Sequence, residues 1–320
     1  MMRIALFFIT AVLFGTQAFA QDWPTKPVRF IVPFPPGGSV DPLARLAGAR
    51  LGEALKQQFV VENRPGAGGS MGTAMAAKSA PDGYTFLFVF DSHGVNQALI
   101  PNLPYDTAKD LAPVMLVGRA PYAIATSVAK PWKSFAEVVA ASKAKPESVS
   151  IGSIGNGTLG HLTLVMAQQM GGFKLIHAPF AGGGPMNQNI LGGQIDMGIG
   201  SIALLSSQLR GGKMRGVAVA GEQRLAAFPE VPTLLEQGFP GLTAYAWWGI
   251  FAPTGTPKPI IDRMHGELVK VFNLPDVRKT LTETLGMELI VGTPEALQKW
   301  TLGEMARWGK VIRDNNIKPD

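Results

Sequence analysis

A short apolar run, a glycine-rich turn and a helical stretch follow one another repeatedly along this chain, and that unit limits the folds open to it. Val28-Arg-Phe-Ile-Val32 leads through Pro35-Pro-Gly-Gly-Ser39 into a helix predicted near Val40 to Lys56. There Leu43, Leu46, Ala47 and Leu51 recur at helical spacing and make one buried stripe. Phe59-Val-Val61 leads through Asn63-Arg-Pro-Gly-Ala-Gly-Gly69 into an alanine-rich helix that ends before Pro81. Tyr84 to Phe90 reads as a strand buried on both faces, followed by Asp91-Ser-His-Gly94 and another helix start.

The middle of the chain repeats the arrangement. Ser148-Val-Ser-Ile151 leads through Gly152-Ser-Ile-Gly-Asn-Gly157 to a helix over Thr158 to Met170. Leu175-Ile-His-Ala178 leads through Pro179-Phe-Ala-Gly-Gly-Gly184 to a short helix starting at Pro185, where a proline suits the first turn. Ile195 to Ile199 and Gly216 to Ala220 read as further strands. The C-terminal part reads as mainly helical, over Pro259–Phe272, Pro275–Leu285 and Pro294–Ile312.

Alternating strands and helices imply α/β sheets, largely parallel, with helices on both faces. The crevice of such a sheet lies outside the carboxyl ends of its strands, where these glycine loops sit. The loops fall into two groups, one before about residue 100 and one between residues 150 and 201. Two sheets facing one another across a cleft are expected, with chain crossings near Ala120–Ala123 and Ala244–Gly249.

A loop of this kind offers mainly its own backbone. Helix N-terminal amides have no intrahelical partner and carry about half a positive charge between them. A carboxylate or phosphate placed there gains charge-assisted hydrogen bonds of roughly 1.5–3 kcal/mol each. Glycine removes the Cβ that would block the approach. A single loop reads equally well as a tight turn that binds nothing; several on one rim favour an anion site.

Composition and motif narrow the alternatives. Met1-Met-Arg3, an apolar stretch from Ile4 to Gly15 and Ala18-Phe-Ala20 form an export leader, with cleavage expected after Ala20. No later run is long and apolar enough for a membrane helix, so a soluble, periplasmic product is expected. The chain has no cysteine, hence neither disulfide nor thiol anchor. Its net charge of +6 is scattered, without a basic block or basic–aromatic face, which argues against nucleic acid. Gly155-Asn-Gly-Thr-Leu-Gly160 matches the dinucleotide fingerprint, but no Asp or Glu occurs between Glu147 and Asp196 to grip a ribose. No cofactor is expected.

Catalytic and metal readings find little support. His93, His161, His177 and His265 show no ligand spacing, and no G-x-S-x-G elbow occurs. Ser39, Ser153 and Ser201 are ordinary capping residues in such loops, and Asp41 an ordinary dipole partner. His161 faces the cleft or the core, and Trp247-Trp248 reads as core or hinge packing.

With these residues laid out, the chain resembles the Bug family, the periplasmic solute receptors of tripartite tricarboxylate transporters. The likeness runs in order through Trp23-Pro-Thr-Lys-Pro-Val28, Ile31 to Asp41, Val60 to Gly69, Ala80-Pro-Asp-Gly-Tyr-Thr85 and Leu103-Pro-Tyr-Asp106. It continues through Gly155-Asn-Gly-Thr158 with His161-Leu162, Leu191 to Asp196, Val231-Pro-Thr233, Ala252 to Pro257 and Trp308.

The resemblance implies a two-lobed type II periplasmic-binding-protein fold that closes on its ligand like a flytrap. It implies residues 21–122 and 246–320 as one lobe and residues 123–245 as the other, after a leader at 1–20. It implies a small carboxylate held by backbone amides of opposing loops, often through water, and delivered by a monomer to transporter membrane subunits. On the first lobe the matching positions are Phe34, Pro36, Gly37, Gly38, Ser39, Val40 and Asp41, with Asp91, Ser92 and His93 as a wall. On the second they are Ser153, Gly155, Asn156, Gly157, Thr158 and His161, then Phe180, Ala181, Gly182, Gly183 and Pro185, then Gly200 and Ser201.

Two departures from the family pattern make the second-lobe wall less polar. Pro179-Phe-Ala-Gly182 stands where Tyr-Lys-Gly is common, and Ile199-Gly-Ser201 where Phe-Asp is common. They turn the expectation from a highly charged ligand toward a monocarboxylic or aromatic acid, with Phe34 and Phe180 as its faces. A ligand-presenting partner of a sensor kinase and an exported α/β hydrolase are the alternative readings.

Overall fold

The computed structural model describes residues 23–318. The leader and its cleavage after Ala20 lie outside the described residues. In the first lobe β1 (Val28–Val32) feeds α1 (Val40–Leu55), and β2 (Phe59–Asn63) feeds a 3-10 turn at Ala67–Gly69 and then α2 (Ser70–Ala77). β3 (Thr85–Val89) feeds a second 3-10 turn, Asp91–Gly94, and the short α3 (Asn96–Leu99). β4 (Leu111–Ser127) then carries the chain into the second lobe.

There α4 (Phe135–Ala144) precedes three strand–helix units: β5 (Ser150–Ser153) with α5 (Leu159–Gly171), β6 (Ile176–Pro179) with α6 (Gly183–Leu191), and β7 (Met197–Ser201) with α7 (Ile202–Arg210). β8 (Met214–Val219) follows, and β9 (Tyr245–Pro253) returns the chain. The remainder is α8 (Lys258–Phe272), α9 (Pro275–Lys279), a π turn at Thr280–Thr284, β10 (Glu288–Gly292) and α10 (Pro294–Asp314).

One continuous sheet runs β2-β1-β3-β9-β4-β7-β5-β6, with β8 and β10 also paired to β4. The triplets β2-β1-β3 and β6-β5-β7 are parallel. Every antiparallel pair involves β4 or β9, the two strands that join the halves. The parallel triplets matter for function: all six carboxyl ends open onto the loops singled out above.

Each half has its own aromatic core. Phe30 packs against Phe59, Phe86 and Phe88 under α1, whose buried Leu43, Ala47 and Leu51 form the expected stripe. Phe135, Phe173 and Phe239 meet in the second half at centroid distances of 5.6–6.2 Å. Burying each such ring contributes about 1.5–3 kcal/mol.

Three segments differ from the expectation. The C-terminal part is mainly helical as expected, but it also contains the strand β10. The helix expected over Pro275–Leu285 stops at Lys279 and continues as the π turn. The crossing near Ala120–Ala123 runs within a 17-residue strand, an element that had not been expected there.

Candidate functional site

The carboxyl ends of the parallel triplets surround a cavity of about 500 Å³. Five helix N-caps line it: Ser39 of α1, Gly69 of α2, Thr158 of α5, Gly182 of α6 and Ser201 of α7. Only Ser201 caps its own helix through its side chain, accepting from the Leu204 amide at 3.3 Å. Ser39, Gly69, Thr158 and Gly182 make no side-chain cap. First-turn amides with no intrahelical partner therefore gather around one space, each adding partial positive charge.

Apart from Ser92, the other lining side chains are apolar, among them Pro33, Phe34, Pro35, Val40, Pro65, Phe90, Ile154, Pro185 and Leu204. Among the described residues, no Asp, Glu, Lys, Arg or His lines it. Phe34 and Phe90 meet edge to face at 6.0 Å, making an aromatic corner in the first lobe. A smaller chamber of about 210 Å³ adjoins it past Ser92 and Thr158, lined also by Asn96, Leu99, Ile100, Asn156 and Gly157.

Polar contacts behind the wall hold the loops in place. Trp248 donates its indole N–H to Ser39 Oγ at 3.3 Å. Asn63 donates to the Phe34 carbonyl at 3.1 Å and to Asp41 at 2.9 Å, fixing the first loop against β2. Ser92 and Asn96 both donate to the Gly68 carbonyl, at 2.9 and 3.0 Å. This ties the loop after β2 to the turn after β3.

The cavities bring together Phe34, Pro36, Gly38, Ser39, Val40, Ser92, Asn156, Gly157, Thr158, Ala181, Gly182, Gly183, Pro185 and Ser201. Other expected positions line neither chamber. Gly37, Gly155 and Gly200 belong to the same loops without lining either chamber. Asp41 turns to Arg45 and Asn63. The Phe180 ring turns back under β5: a Cβ on Gly152 would sit 2.9 Å from its Cε2, so it packs inward and offers the cavity no face.

The titratable candidates likewise lie beside the site, not in it. His93 packs among Tyr105, Trp247 and Phe251, and desolvation lowers its pKa to about 3. Asp91 accepts from the Tyr122 hydroxyl at 2.8 Å. Burial pushes its carboxyl well above the usual range, and the nearby Glu304 pushes the same way. His161 stacks on His177 at 4.1 Å and accepts the Gly157 amide at Nδ1. Ser153 Oγ lies 2.7 Å from His177 Nε2, but Ser153 is fully buried and lines neither chamber. Ser153 therefore presents no nucleophile to a guest in either chamber.

Residues 43–317 match the family described as "Tripartite tricarboxylate transporter family receptor". The chain belongs to that family. BugT of Bordetella pertussis is 33% identical to this receptor over 317 residues, 98% of this chain and 97% of that protein. An R. palustris protein with adipate shares the fold at a TM-score of 0.88 and 31% identity, over 93% of this chain and 100% of that one. The periplasmic binding protein BugD does so at a TM-score of 0.87 and 29% identity, over 93% and 100%. The receptor therefore has the two-lobed periplasmic-binding-protein architecture.

The receptor's cavity also includes residues that sequence reasoning did not single out. The loop Pro65–Gly69 was visible as a glycine-rich turn after a strand, the same signal that marked its neighbours. Leu204 carried no such signal, because an apolar residue in a first helical turn reads as core.

Proposed function

We propose that this receptor captures a small carboxylate, a monocarboxylic or aromatic acid, in the periplasm and delivers it to the membrane subunits of a tripartite transporter. Residues 21–122 with 246–320 and residues 123–245 are the two bodies that close on it, and it acts as a receptor without catalysis. The observation that carries this reading is the convergence of five helix N-caps on a cavity without a charged side chain. Unpaired amides suit one carboxylate; the apolar remainder, with its Phe34–Phe90 corner, suits an uncharged body. Membership of a receptor family and the adipate in the R. palustris protein support the carboxylate.

Micromolar affinity corresponds to about −8.2 kcal/mol. Three or four charge-assisted amide bonds with modest apolar burial supply that after association costs. Mass spectrometry of ligand released from denatured, freshly purified protein should return an organic acid. Calorimetric titration should show benzoate binding far more tightly than benzamide; equal affinity would remove the role given to the helix N-termini.

A further inference from the structure

Around the cavity two second-lobe glycines face first-lobe side chains, and the contacts are unequal. Gly182, with φ of +110°, faces Pro35 across the cavity; a Cβ built on it would lie 3.5 Å from Pro35 Cγ, an ordinary contact. Gly157, with φ of +67°, faces Leu99 at the end of α3. A Cβ there would lie 2.3, 2.5 and 2.9 Å from Leu99 Cδ2, Cδ1 and Cγ. The Leu99 side chain thus rests directly on the bare Cα of a second-lobe turn, and it is only 8% exposed.

The Gly157 amide is not available to a guest, since it donates to His161 Nδ1 at 2.9 Å. Its lack of a side chain answers to Leu99 and not to an anion. We infer that Leu99 against Gly157 is the stop that sets how closely the lobes approach, so that Gly157 is a positioning residue for binding. A methyl group at residue 157 would meet Leu99 before the lobes reached the separation seen here, leaving helix N-termini of opposite lobes too far apart to share one carboxylate. This rests on the reading of the cavity as a carboxylate site that closes on its guest.

The chain has no cysteine, so Lys78→Cys with Lys143→Cys gives one exposed label site on each lobe. The shortest distance between spin labels, with and without benzoate, reports the most closed form. Gly157→Ala should lengthen it and weaken benzoate binding at least about tenfold, equivalent to about 1.4 kcal/mol. Adding Leu99→Ala to Gly157→Ala should restore both. Overpacking predicts that rescue, whereas backbone strain at a left-handed position does not.

An unchanged distance in Gly157→Ala, or a loss that Leu99→Ala fails to relieve, would overturn the inference. If the labelled parent bound neither benzoate nor adipate, the carboxylate reading would suffer. The label distances would still decide whether Leu99 limits closure.

Discussion

Tyr122 donates its hydroxyl to the buried Asp91 carboxyl at 2.8 Å, tying the crossing strand β4 to the turn whose Ser92 lines the cavity. Burial dominates the Asp91 environment and holds its acid form well above the usual pKa of 3.8. A group whose folded pKa is raised contributes stability that is fully present below the unfolded value and lost as pH rises through the folded one. Stability from Asp91 therefore declines as pH rises above 3.8. Asp91→Asn should remove that slope and exceed the parent in urea midpoint at pH 8 while matching it at low pH. Tyr122→Phe should cost about 1–3 kcal/mol at either pH, because it leaves a buried acceptor without its donor.

His93 predicts the opposite slope. Its ring nitrogens have no partner, and its pKa falls from 6.5 to about 3 by desolvation alone. The unfolded chain binds this proton between those values and the native protein does not, so stability is lost as pH falls from 6.5 toward about 3. The slope is at most about 1.4 kcal/mol per pH unit. Thermal melts of His93→Phe should be flatter than the parent's across that interval; identical profiles would show that another group controls acid lability.

Gly38 separates binding from folding. A Cβ there would have only the Pro35 carbonyl nearby, at 3.8 Å, so a side chain projects into space without straining the loop. Gly38→Leu should melt within about 0.5 kcal/mol of the parent, as an unstrained surface change does. It should nonetheless abolish calorimetric binding by filling the cavity. Retained affinity would show that the first loop is not part of the site.

Leu204 tests why the wall is apolar. It lines the cavity from α7, close over Gly183 and Gly200. Leu204→Lys should raise the affinity for adipate relative to benzoate by at least about tenfold, since a partly desolvated charge pair contributes more than 1.4 kcal/mol. A thermal-shift comparison of the two acids would reveal it, and an unchanged preference would place the second carboxylate elsewhere.

Much of the candidate site's lining was legible because it is built from loop backbone. Glycine clusters between a strand and a helix announce where amides are exposed, and the first-lobe loop around Gly38 and the turns at Thr158, Gly182 and Ser201 line the cavity as that signal suggests. Side-chain direction was not legible. Phe180 sits in the right loop, yet its ring fills the space left by Gly152, a long-range fit that no local pattern records. Likewise β4 hid behind Pro113, Gly118 and Pro121, residues that normally interrupt a strand. Its register shifts between Pro113 and Met115 and between Leu116 and Gly118 absorb two of those interruptions.

That same strand has a consequence for the whole molecule. Leu111 to Pro121 are hydrogen-bonded into one lobe and Tyr122 to Ser127 into the other, so neither half can melt and leave the other's sheet complete. Heating should produce a single calorimetric transition, and damage to either core should be felt as lowered tolerance of the entire receptor.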